Sequence, residues 1–172
     1  MIYTLLEPNH PLLHSPLPEI TAETEPKDRV ELTNNMAETM KHYGGIGLSA
    51  NQVGLAIRMF VFGDKDHFIP CFNPKILEYG GPDMAIEEGC LTYPGLFVKI
   101  YRPDWIVAQW EDEKRELHEE NFKDLTSRIF QHEYDHMEGI DFRSRAGRIS
   151  LDIAQRKVKR AKRKMKKMAE DK

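Results

Sequence analysis

QHEYDHMEG, residues 131–139, places two histidines four positions apart with a glutamate directly after the first. On a helix, His132 and His136 lie one turn apart on the same face, so both imidazoles can reach a single ion. Glu133 is rotated by about a third of a turn, within reach of a water on that ion rather than of the ion itself. An H-E-x-x-H string also arises by chance on exposed helices, where its side chains are simply solvated. Here the flanking Ile129, Phe130 and Met137 are apolar. That predicts a partly buried helix, in which unpaired polar groups are costly. A site built on this helix needs a third ligand bearing N, O or S, and the rest of the chain must supply it.

No histidine follows His136, and the remaining downstream acids (Glu138, Asp141, Asp152, Glu170 and Asp171) sit on no convincing second ligand helix. The best candidate lies upstream, in EEGCLTYP at 87–94, where Cys90 follows a glycine between two strand-like runs. A thiolate with two imidazoles would hold an ion and leave a fourth position for water. The competing reading of Cys90 is a small buried hydrophobe, the commoner fate of a free cysteine, and that reading is adopted for Cys71. A third stretch, GGIGLSANQVG at 44–54, combines Gly45 and Gly47 with small Ser49 and Ala50. It lets backbone pass tightly against a ligand or a helix, and Gln52 supplies a neutral amide donor. No G-K-[ST] follows, so it is not a phosphate loop; its plain reading is a helix stop and a tight turn.

Outward from these segments the period of the chain changes twice. Pro8, Pro11, Pro16, Pro18 and Pro26 make the first part an extended arm. A helix follows, with Val30, Met36, Ala37, Met40 and Tyr43 on one side, and Gly44 and Gly45 stop it. From Ile57 to Asn121, short runs such as IRMFVFG, HFIPCFNP, KILEYG, LFVKIYRP, WIVAQW and KRELHEENF read as strands. Gly80-Gly81-Pro82 and Pro94-Gly95 read as turns between them. DLTSRIFQHEYDHMEG then returns to helical spacing up to Gly139. The fold class is α+β: antiparallel strands packed around a central HExxH helix, with an N-terminal helix and a C-terminal basic helix.

The 172 residues suit one domain that buries roughly two-thirds of its unfolded surface. No apolar run approaches the roughly 20 residues of a membrane span. The N-terminus resembles neither a signal nor a transit peptide, so a cytoplasmic protein beginning near Met1 is expected. Two cysteines are a poor disulfide framework for this size, and reduced thiols are expected. The charge is uneven: residues 155–172 hold ten Lys and Arg against two acids, +8, leaving 15 basic and 26 acidic residues, −11, in the rest. An anionic partner is therefore expected for the tail alone.

Together the three motif segments resemble peptide deformylase, a family marked in order by G-φ-G-φ-A-A-x-Q, E-G-C-L-S and Q-H-E-x-D-H-L. Here they read GIGLSANQ at 45–52, EGCLT at 88–92 and QHEYDHM at 131–137. The likeness covers most of residues 1–145. Ser49, Thr92 and Met137 depart from alanine, serine and leucine, conservatively in size and without removing a ligand. The resemblance implies a catalytic domain over 1–148 and a basic helix over 149–172, which belongs to that domain or extends it. It implies that Cys90, His132 and His136 hold one divalent metal, natively Fe2+, with Zn2+, Ni2+ or Co2+ also admissible in purified protein. Glu133 would act as general acid and base, and Gln52 with the Leu91 backbone N–H would stabilise the oxyanion. Ile46, Gly47 and Gly89 would hold the peptide as an added strand. The methionine side chain would enter a pocket lined by Ile46, Ile86, Leu125 and Ile129. The implied reaction removes formyl from N-formylmethionyl peptides through a metal-bound water, releasing formate, in a monomeric enzyme.

Two rivals share these residues: a small zinc peptidase, disfavoured by the missing downstream ligand, and an RNA-binding module with a structural metal, which would need neither Glu133 nor Gln52. Arg102, in KIYRP, pairs with Glu88 or Asp135 behind the ligands, or is an ordinary surface arginine. In the tail, Leu151, Ala154, Val158, Ala161, Met165 and Met168 recur at helical spacing as one narrow apolar seam. This helix either lies on its own domain with solvated lysines or, as the resemblance implies, docks on ribosomal RNA. A membrane is disfavoured, because Trp, Phe and later Leu are missing from the apolar face.

Overall fold

The computed structural model describes residues 1–64 and 67–170. Asp28 opens helix α1 (Arg29–His42), its carboxylate accepting the Glu31 backbone N–H at 2.9 Å. This is the capping bond that satisfies an orphan donor of the first turn. The helix buries Leu32, Met36, Ala37 and Met40. Val30 and Tyr43, placed on that face by the sequence reading, are exposed instead. Leu32 takes the buried position one turn before Met36, and Tyr43 is the C-cap residue, where the chain already leaves the helix. Gly44 then turns the chain at φ +70°, a conformation that suits glycine.

Among the described residues, five antiparallel strands form one sheet in the order of the chain: β1 (Gly47–Ser49), β2 (Met59–Gly63), β3 (Phe68–Gly89), β4 (Phe97–Glu111) and β5 (Leu117–Lys123). The glycine-rich stretch thus contributes more than a turn, since Gly47–Ser49 is an edge strand paired with β2. Several runs read as separate strands are fused. HFIPCFNP and KILEYG belong to β3, and LFVKIYRP and WIVAQW to β4. Gly80-Gly81-Pro82 does not reverse the chain. It lies at a register shift between Gly80 and Asp83, beside Pro103 of the partner strand, where a missing N–H costs no ladder bond. The bend lets two long strands leave the main sheet as a ribbon. Pro94-Gly95 is the turn expected, with Gly95 at φ +81°, and it returns the chain from β3 to β4.

Helix α2 (Asp124–Met137) packs on β1, β2, β4 and β5. Phe130 fits among Phe60, Phe62, Phe122 and Trp110, with the Phe60 ring edge-on at 5.0 Å between centroids. On the far side of the sheet's edge, α1 covers Leu48, Met59, Val61 and Phe72. The N-terminal arm is strapped to α2 and to the turn after β1, with the Leu17 N–H on the Met137 carbonyl and the Leu6 N–H on the Gln52 carbonyl, each at 2.8 Å. Helix α3 (Arg148–Glu170) lays Leu151, Ala154 and Val158 against Leu96, Val98, Ile100 and Phe142. The second half of its seam finds no partner surface: Met165 is 72% exposed and Met168 60%. Among the described residues no helix is long and apolar enough to cross a membrane.

Candidate metal centre and cleft

Helix α2 presents His132 and His136 from successive turns, their ring centroids 5.2 Å apart. Strand β3 ends at Gly89, and the next residue, Cys90, swings its sulfur to 3.4 Å from His136 Nε2. One donor atom from each of Cys90, His132 and His136 lies within 4.8 Å of the others, and all three side chains are largely buried. Burial opposes charge on the Cys90 thiol, yet the imidazoles of His136 and His132 hold its pKa well below the usual range. Burial likewise disfavours a charged His132, but Cys90 and Glu88 raise it to about 10. The charged thiolate of Cys90 is thus the form that the two facing imidazoles favour. A soft thiolate with two imidazoles suits a first-row divalent cation that keeps one coordination position open.

A second layer fixes these donors. Glu88 Oε2 lies 2.9 Å from His132 Nδ1, which leaves Nε2 for the cluster. The same carboxylate accepts two bonds from Arg102, at 2.6 and 2.9 Å, and one from Arg128 at 2.9 Å. Arg102 reaches on to Asp135 at 2.7 Å, so it pairs with both of the partners expected for it. It is 3% exposed, which excludes the surface-arginine reading. Burial would raise the Glu88 pKa, but bonds from His132 and Arg102 overcome it and hold the carboxyl well below the carboxylate range. Asn51 donates to the His136 carbonyl at 2.8 Å, steadying the second ligand through its backbone.

Glu133 sits beside the ligands with its carboxylate buried, and burial lifts its pKa above the usual value despite both histidines. Ser49 Oγ donates to Glu133 Oε2 at 2.7 Å. On the opposite wall, Gln52 Oε1 accepts the Ser49 backbone N–H at 2.9 Å, which turns Nε2 toward Thr92 Oγ1 at 3.0 Å and Cys90 Sγ at 3.4 Å. Gly47 shows why this wall is glycine-rich: an added Cβ would stand 2.3 Å from Glu133 Oε1.

These groups face a cleft of about 690 Å³. It is bordered by Ile46, Gly47, Gln52, Ile86, Gly89, Cys90, Leu91, Leu125, Ile129, His132 and Glu133. Of the residues expected as ligands, catalytic groups or substrate contacts, His136 alone does not border it. Sequence reasoning missed Arg128, although it lies one turn before His132 on the same helix, and it valued Ser49 and Thr92 only for their size. It also missed the Tyr93–Asp141 bond at 2.6 Å, with Arg143 stacked over the Tyr93 ring at 4.0 Å. That contact ties the turn after Cys90 to the segment after α2.

Comparison with known proteins points to one family. The family model described as Polypeptide deformylase matches residues 2–152. A peptide deformylase of Cytophaga hutchinsonii is 37% identical over 150 residues, covering 83% of this chain and 80% of its own. One from Thermotoga petrophila is 41% identical over 114 residues, covering 66% and 70% respectively. The crystal structure of the Thermotoga maritima peptide deformylase superposes with a TM-score of 0.80 at 33% identity, covering 86% of this chain and 99% of that one. That of Synechococcus elongatus, in complex with actinonin, gives 0.82 at 29%, covering 90% and 85%. The chain belongs to the polypeptide deformylase family.

Proposed function

We propose that this enzyme removes the formyl group from the N-terminal formylmethionine of nascent polypeptides, releasing formate. The observation that carries the reading is that the Cys90–His132–His136 donor set reaches the cleft through Cys90 and His132, beside Glu133 and Gln52, which border the same cleft. Cys90, His132 and His136 would hold a divalent cation, Fe2+ natively, with Zn2+, Ni2+ or Co2+ able to replace it in purified protein. Bound there, such an ion supplies a Lewis acid and lowers the pKa of water toward ~7.

The chain's own groups do the rest. Glu133 takes the proton of the water that attacks the formyl carbon and returns it to the leaving amine nitrogen, so the C–N bond breaks to formate and a free N-terminus. Its burial and raised pKa suit a group that must carry that proton between steps. The Gln52 amide and the Leu91 backbone N–H donate to the developing oxyanion. One such donor is worth roughly 3–4 kcal/mol, and neutral donors suit a site that already holds a cation. Backbone groups of Ile46, Gly47 and Gly89 hold the peptide as an added strand. Ile46, Ile86, Leu125 and Ile129 receive the methionine side chain. A formyl carbon carries only a hydrogen where acetyl carries a methyl, and fit alone discriminates one methyl group by only about 1–3 kcal/mol.

The catalytic unit spans residues 1–148 and works as a monomer in the cytoplasm. The 149–172 segment serves as a ribosome contact, binding ribosomal RNA through the outward basic face of α3. Formate release from a formyl-Met tripeptide tests the reaction, using protein loaded anaerobically with iron or nickel. Rapid release by the wild type, abolished in Glu133→Ala and Cys90→Ser, is the expected result. A loaded wild type that releases no formate would falsify the reading. Metal analysis of anaerobically purified protein tests the iron assignment, and co-sedimentation with ribosomes tests the tail.

A further inference from the structure

A second cavity, of about 560 Å³, lies between helix α3 and the turn that follows Cys90. Tyr93, Pro94 and Leu96 border both this cavity and the cleft, so the two hollows share one wall. Across from that wall stand Lys159, Lys162 and Arg163, all exposed. Among the described residues these three make no ion pair, whereas nearby Arg143 is committed to Asp141 at 2.5 Å. The place is an apolar floor with a cationic rim, on the other side of a wall it shares with the cleft.

We propose that this groove is an extended subsite that takes acidic side chains of the substrate polypeptide, downstream of its N-terminal methionine. The inference rests on the deformylase reading and adds a preference among its substrates. Two observations favour a peptide over a nucleic acid. The groove adjoins the cleft across Tyr93, Pro94 and Leu96, so the downstream part of a peptide held in the cleft has only that shared wall to cross. Tyr93, the aromatic ring that borders it, carries Arg143 over one face at 4.0 Å and Phe142 tilted against it at 5.8 Å, which leaves poor room for a stacked base. The outward face of α3, with Lys157, Arg160 and Lys164, is a separate cationic surface on the other side of the helix.

The test compares formate release from three substrates by metal-loaded full-length enzyme at low salt. They are formyl-Met-Ala-Ser, the same peptide extended by five residues including three Asp, and a matched extension with three Asn. A labelled, unformylated acidic peptide gives a parallel binding readout by anisotropy. The acidic octapeptide is expected to show a kcat/KM about fivefold above its neutral match, through KM, as three exposed ion pairs allow. At 0.5 M salt the preference should vanish. Lys159→Glu/Lys162→Glu/Arg163→Glu should remove it from both readouts and leave the tripeptide rate unchanged. The milder triple Gln variant should do the same if the Glu variant folds poorly. Lys157→Glu/Arg160→Glu/Lys164→Glu, with the same net charge, should preserve it. Equal kcat/KM for both octapeptides, or equal loss in the inner and outer triple variants, would overturn the subsite. Loss of RNA binding in the inner variant, without peptide discrimination in the wild type, would assign the groove to nucleic acid instead. A wild type that leaves the tripeptide intact would overturn the deformylase reading, and this inference with it.

Discussion

Replacing Glu88 with Gln tests whether the buried ionic layer, rather than the ligands alone, holds the metal centre together. Glu88 is 5% exposed and receives Arg102, Arg128 and His132 on its two oxygens. Glutamine keeps the shape and one acceptor but removes the charge, leaving guanidinium groups buried with less compensation. Breaking a buried pair from one side costs about 3–5 kcal/mol. The lower end applies here, because Arg102 retains Asp135 at 2.7 Å and Arg128 retains the Ile100 carbonyl at 3.2 Å. A loss of about 3 kcal/mol lowers Tm by about 6–12 °C in a chain of this size. Urea unfolding of metal-stripped protein, followed by Trp fluorescence, measures the change free of metal linkage. The pH dependence adds a second constraint. Because the folded pKa of Glu88 is depressed, its contribution is complete above the unfolded value, ~4.3, and is lost as pH falls toward the folded one. The gap between wild type and variant should therefore be full at pH 7 and shrink from about pH 5 to about pH 3. Metal affinity, by competition with a chromophoric chelator, should fall about 10–100-fold, because His132 loses the partner that fixes its ring. A stability change under about 1 kcal/mol with unaltered affinity would refute the reasoning.

Gly47→Ala should cut formate release by about 100-fold, since the added methyl starts 2.3 Å from Glu133 Oε1 and must displace the carboxylate. The unfolding midpoint, measured alongside, should move far less than activity. Ser49→Ala removes the 2.7 Å bond to Glu133 Oε2 and should lower kcat about 5–10-fold with KM unchanged; a change in KM alone would contradict that role. Ending the chain after Ala161 should leave the urea midpoint nearly unaltered, because Met165 and Met168 are exposed. Ending it after Gly147 uncovers Leu96, Val98 and Phe142 and should cost about 2–4 kcal/mol.

The proposed ligands and acid/base were readable because each stands in a short string whose local geometry is fixed by its own hydrogen bonds. A helix sets the His132–His136 spacing wherever it packs. The layer behind them depends on pairings that no local string contains. Glu88 meets Arg102 because β3 and β4 pair in register, with Glu88 opposite Val98 and Met84 opposite Arg102, while α2 supplies Arg128 and His132 from above. A hint was present, since residues two apart on a strand share a face, and Glu88 precedes Cys90 by two. Strand boundaries failed for a related reason. Gly80-Gly81-Pro82 has turn chemistry, but a bulge uses the same residues, and only the partner strand decides between reversing and bending.

The tail shows the limit of periodicity most plainly. Spacings of three and four from Leu151 to Met168 define a face over the whole helix, and the face exists. Burial, however, is set by the surface opposite, and that surface ends with Leu96, Val98, Ile100 and Phe142. Leu151, Ala154 and Val158 are covered by it, while Met165 and Met168 project beyond it. Isolated helices are only marginally stable in water, so the distal turns lean on the docked ones for their helicity. That dependence sets where charge can act. Lys159, Lys162 and Arg163 follow the last docked residue, Val158, and border the second cavity, while Lys157, Arg160 and Lys164 lie on the other side of the helix. One continuous basic run is thereby divided into a part held against the enzyme and a part offered outward, a division that composition alone could not draw.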